Sequence, residues 1–141
     1  MTKVFPKSRV CVIDIYPSIE TGLRLALDFT NRNNIRLNTS DGKNILLAFC
    51  IKAIQQTHQN TKSSFPKVLC ISKKAITNKV KYFIDNYLEQ LLQHIPVAYC
   101  GKYDLHSPDL ENAAQVSLSE TKPQRKYNEY LSLLKIRKIS Q

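Results

Sequence analysis

The sequence predicts an α/β domain. Short runs dense in β-branched residues occupy 9–16, 35–39, 67–72 and 96–103, and longer stretches with apolar side chains at helical spacing lie between them. The regular alternation of the two, β-α-β-α-β-α-β, means strands covered by helices. At 141 residues the chain suits a single domain. Residues 1–103 are expected to form that domain. Residues 104–122, polar and without periodicity, are expected to be a mobile loop, and 123–141 to be a basic C-terminal segment.

Each element follows from local chemistry. RVCVIDIY at 9–16 is a buried strand. Pro17 suits the first turn of a helix over 18–31, with Ile19, Leu23, Ala26, Leu27 and Thr30 on one stripe. Gly22 weakens that helix unless another backbone approaches closely. Asn31–Asn34 is a turn, and IRLNT at 35–39 alternates like a short strand. Ser40 or Asp41 caps a helix over 43–58. Nine of the ten residues 45–54 are apolar, so this helix needs cover on most sides, from a sheet and from a partner subunit. KVLCIS at 67–72 is a strand. The stripe Ile76, Val80, Phe83, Ile84, Tyr87, Leu88 and Leu91 marks a helix over 73–94, with Lys81, Asp85 and Glu89 along its wet face. Pro96 opens a last strand to Tyr103. In the tail, Tyr127, Tyr130, Leu131 and Leu134 argue helix, while alternation over 134–137 argues strand.

Composition is ordinary in apolar (43%) and charged (23%) residues, but 21 Lys and Arg face only 11 Asp and Glu, a net charge of +10. That excess favours nucleic acid, an anionic surface or an acidic protein as partner. Cys11, Cys50, Cys70 and Cys100 sit in apolar stretches with no C-x-x-C pair and no histidine at metal spacing. They read as buried hydrophobes in a reducing, intracellular compartment, cytoplasmic or nuclear. The start of the chain lacks a signal-peptide pattern, and no run has the length of a membrane span.

Asp41-Gly42-Lys43 joins architecture to function. A glycine and a lysine at a helix opening place free backbone N–H groups and a cation where an anion can dock. A nucleotide P-loop is excluded, because Leu37 and Asn44 stand where it needs glycine and Ser/Thr. Lys73, Lys74, Lys79 and Lys81 form a second basic cluster, with Tyr82 near enough to stack on a base. Arg125 and Lys126, with Lys135, Arg137 and Lys138, are interleaved with Tyr127 and Tyr130 in a third. Catalysis has thin support. His58, His94 and His106 stand apart, and metal-assisted hydrolysis at Asp14 needs further carboxylates, for which Asp104 and Asp109 after the last strand are the only candidates. No cofactor and no metal are expected.

Residues 16–49 resemble the Alba superfamily of nucleic-acid-binding proteins. Pro17 is similar to the proline that opens its first helix. Gly42-Lys43-Asn44-Ile45-Leu46-Leu47-Ala48 is similar to its Gly-[Lys/Arg]-Ala-Ile-x-x-Ala run, with Asn44 in place of alanine. The chain departs from the pattern at Ile15-Tyr16, where the family carries a basic pair, and at Asp41. The resemblance implies a mixed four-stranded sheet packed by helices, a homo- or heterodimer, and RNA or DNA as partner. Subunits of the RNase P and RNase MRP type belong to this superfamily. It also implies a phosphate contact at Lys43.

The first functional expectation is therefore a non-enzymatic nucleic-acid-binding subunit, RNA in preference to DNA, held to the phosphate backbone by Gly42, Lys43, Lys73, Lys74, Lys79, Arg125 and Lys126. A dimer would form through helix 43–58 or 74–94. The alternative is an interaction adaptor of an intracellular complex, with a nuclease or other hydrolase behind it. A doubly wound parallel sheet would shift weight toward adaptor or enzyme.

Overall fold

The structure is a computed structural model that describes residues 10–73 and 78–120, apart from the side chains of Asn78 and Lys79. The order is β1 (Cys11–Asp14), α1 (Tyr16–Arg32), α2 (Ser40–Asn60), β2 (Lys67–Ser72), α3 (Asn78–Gln93), β3 (Tyr99–Tyr103) and α4 (Asp109–Ser119). The three strands form one sheet in the order β1-β2-β3, and both pairings are parallel. Cys11 pairs with Lys67 and Asp14 with Cys70. The β2–β3 ladder is irregular between Leu69 and Ile71.

The α/β class is as expected, but among the described residues the sheet is three-stranded and parallel rather than mixed and four-stranded, and the Alba fold is not confirmed. The missing strand is 35–39, whose apolar residues serve helix ends instead. Asn34 takes a left-handed conformation (φ 55°) after α1, with Ile35 N–H donating to Thr30 O (2.9 Å) and Asn34 N–H to Asn31 O (3.4 Å). This is a Schellman ending, and the hydrophobic contact that accompanies it is Ile35 against the cluster of Ala26, Phe29 and Ile45. Residues 104–122 also differ from expectation, since α4 forms within them. Its first turn carries Asp109 and Glu111, which suit the helix dipole.

The main core lies between one sheet face and α1, α2 and α3, with Ile15, Ile19, Leu47, Ile51, Ile54, Leu69, Ile71 and Leu91 almost wholly enclosed. Val68 and Cys70, which alternate with Leu69 and Ile71, are equally buried, so both faces of β2 are covered. α4 packs on β3 and β2, burying Leu110 and Ala114. α1 and α2 pack as a helical hairpin. Gly22 is the point of closest approach: a Cβ there would stand 2.6 Å from Cys50 Cα. Of the two expectations for Gly22, close backbone approach is the one observed.

α2 is apolar nearly all round because α1, the sheet and α3 enclose it within one chain. Ile45, Leu47, Ala48, Cys50, Ile51 and Ile54 are buried without a partner subunit. The expectation that this helix needs a dimer partner is corrected accordingly.

Candidate nucleic-acid interface

The first turn of α2 is closed by its own cap. Thr39, in extended conformation, accepts the Gly42 N–H on Oγ1 (3.1 Å) and the Lys43 N–H on its carbonyl oxygen (3.0 Å). Gly42 itself is buried under the preceding turn, where a Cβ would meet the Arg36 carbonyl oxygen and lie 2.7 Å from Leu37 Cα. Its φ is not positive. The expected anion contact from Gly42 is thus corrected. The glycine is there for close packing, and its N–H is already committed. Lys43 is exposed, and it takes part in neither ion pair found among the described residues, Asp28–Arg32 and Lys81–Asp85.

Lys43 stands on the rim of a cleft of about 320 Å³ between α1, the 37–38 turn, α2 and α3. Leu23, Leu27 and Leu46 line it beside Phe83, which is buried, and Tyr87, which is half-buried. Asn38 adds a polar group at the edge. Tyr82, 61% exposed, forms the outer aromatic wall. Its ring lies 6.4 Å from Tyr87 in an edge-on arrangement, and Tyr87 lies 5.4 Å from Phe83. A shallower groove continues over Leu23 and Leu27 to Arg24 and Val80. Tyr82 is legible in the sequence as a ring near enough to the basic cluster Lys73, Lys74, Lys79 and Lys81 to stack on a base. Leu37, Asn38 and Tyr87 were not singled out for this role, because the turn that brings them together comes from the Schellman ending and the glycine contact.

Of the other cations expected at the site, only Lys73 has a described side chain, and it does not line this cleft. Lys73 is exposed at the carboxyl end of β2, its N–H donating to Tyr103 O (2.9 Å). Lys74, the Lys79 side chain, Arg125 and Lys126 lie outside the described residues, as does the tail over 123–141, where the sequence pattern fits both helix and strand. Within 10–73 and 80–120, ten Lys and Arg face ten Asp and Glu. The excess of ten positive charges is carried entirely by residues 1–9, by Lys74 and Lys79, and by residues 121–141.

Groups with catalytic potential have structural tasks. Asp14 Oδ1 accepts the N–H groups of Tyr16 and Ser72, both at 3.0 Å. Among the described residues no three His, Cys, Asp or Glu side chains come together as a metal site. All four cysteines are free; burial pushes the Cys70 thiol up to about 12 and Cys50 higher still. Partial burial and the Lys67 cation hold His58 below its ordinary value. It is Lys67, not His58, that serves the end of α2, donating from Nζ to His58 O (2.8 Å). No helix among the described residues is long and apolar enough to cross a membrane. No protein-family model, curated protein or solved structure matches the chain.

Proposed function

We propose that this chain is a non-enzymatic nucleic-acid-binding subunit that engages RNA through its phosphates. The observation that carries the reading is the separation of charge along the chain: residues 10–120 are close to balanced at +2, and the other +8 lies in residues 1–9 and 121–141. Such basic segments attract polyanions by counterion release, with little regard to sequence. Lys43, in no ion pair among the described residues and lining the same cleft as exposed Tyr82, supplies a contact on the body itself.

Titrating a labelled single-stranded RNA at rising salt tests the reading. Each phosphate neutralised on a single strand contributes a slope of roughly −0.7 in log K against log salt. Arg125→Gln with Lys126→Gln should flatten the slope by about 1.4. Affinity indifferent to salt, or a slope unmoved in that variant, would overturn the proposal.

A second reading, an interaction adaptor, is favoured by the parallel pairing of all three described strands and by exposed Val116 (57%) and Leu105 (47%) in and before α4. A protein partner retained after nuclease treatment, and lost on Val116→Lys, would support it.

A further inference from the structure

We propose that the cleft between α1, α2 and α3 receives one unstacked base of a single strand, with Lys43 on the adjoining phosphate. The proposal rests on the nucleic-acid reading above and specifies the form of nucleic acid taken.

Size, lining and rim each point the same way. At about 320 Å³ the cleft is at the small end of ligand sites, with room for one flat ring system and little more. Its inner wall is apolar, with Leu27 and Leu46 beside the buried Phe83 ring. Its mouth is an aromatic face: Tyr82 is the most exposed of the large apolar and aromatic side chains among the described residues. Exposed aromatic rings beside a cation are the means by which proteins hold single strands, because every base offers a π-face. Lys43 lies at the same opening and is in no ion pair among the described residues. A base stacked and paired inside a duplex cannot enter such a cleft, so the geometry selects single strands over duplexes. Charge alone makes no such selection.

The test uses the full chain and three fluorescent probes at low salt: a twelve-nucleotide uridine strand of RNA, an abasic RNA strand of equal length, and the uridine strand annealed to its RNA complement. The base-bearing strand should bind roughly tenfold more tightly than the abasic one. Tyr82→Ala should erase that preference while leaving abasic binding unchanged, and Tyr82→Phe should keep it. Tyr82 is too exposed to matter for folding, which an unchanged unfolding midpoint would verify. Equal affinity for the base-bearing and abasic strands, undiminished preference in Tyr82→Ala, or a duplex bound as well as the single strand would each overturn the base cleft and leave the nucleic-acid reading standing. A free mononucleotide bound as tightly as the strand would overturn the strand and assign the cleft to a small ligand. Failure of all three probes to bind would overturn the underlying reading itself.

Discussion

Gly42→Ala separates a packing role for this glycine from a role in holding an anion. The added methyl would press on the Arg36 carbonyl oxygen, 2.7 Å from Leu37 Cα and 3.0 Å from the Arg36 carbonyl carbon. All three are main-chain atoms, and the turn that carries them is pinned by Thr39, whose N–H (3.2 Å) and hydroxyl (2.6 Å) both donate to Arg36 O. Comfortable carbon–carbon separation is about 3.5–4.0 Å, so the turn must retreat by roughly 1 Å or the helix opening must unwind. Overpacking of this kind costs about 1–3 kcal/mol. Loosening the Thr39 cap adds about 1 kcal/mol, and alanine's better helix propensity returns at most about 1 kcal/mol. The net loss is about 1–3 kcal/mol, a fall in Tm of roughly 4 °C for each kcal/mol in a chain of this size. Urea unfolding followed by circular dichroism measures the stability, and RNA titration of the same samples under native conditions measures affinity. A variant as stable as the parent but weakened in RNA binding would refute the packing account and return the glycine to the anion site.

Gly22→Ala should also destabilise, by at least about 1 kcal/mol, since its Cβ would lie 2.6 Å from Cys50 Cα and 2.9 Å from both Cys50 N and Sγ. In an uncrowded helix the same change stabilises by about 1 kcal/mol, so a raised urea midpoint would contradict the close approach. Cys50→Ala should relieve the strain only in part, because two of the three clashing atoms are backbone. His58, held below its ordinary 6.5 by burial and by Lys67, resists protonation in the folded state while the unfolded chain accepts a proton. Its contribution to stability is therefore intact above pH 6.5 and is lost as pH falls through the lower folded value. Stability measured from pH 7 to pH 5 should decline less steeply in His58→Gln, and an identical decline would rule this out. Cys50 and Cys70, enclosed and with raised thiol pKa, should resist alkylation at pH 8 until urea unfolds the chain, as read by mass spectrometry.

What the sequence reveals is what local periodicity records. KVLCIS carries β2 to the residue, because a central strand buried on both faces is continuously apolar. The proline that opens α1 and the α3 stripe from Val80 to Leu91 are similarly direct, Ile76 lying outside the described residues. Residues 35–39 mislead because alternation over five residues does not distinguish a strand from a turn that seats two apolar side chains. Asn34, closing the turn read over 31–34, is the residue type that suits a left-handed helix ending and was the available signal. α4 is missed because only Leu110 and Ala114 are buried, too few to make a stripe, although acidic residues mark its start. At the cleft, Lys43 and Tyr82 are visible individually from their residue types. Their convergence depends on how α3 packs against α1 and α2, which no local pattern records. The direction of the strands was equally hidden: removing one strand from the alternation turns the expected mixed sheet into a parallel one.

One carboxylate oxygen, Asp14 Oδ1, holds amides from the start of α1 and from the far end of β2, 58 residues away in sequence. Lifting the helix from the sheet therefore strands the same acceptor that secures the neighbouring strand. Fraying at this corner cannot proceed in small independent steps. The Tyr16 and Ser72 amides should exchange with solvent deuterium at a shared rate, making this edge of the molecule a single hinge plate rather than three loose ends.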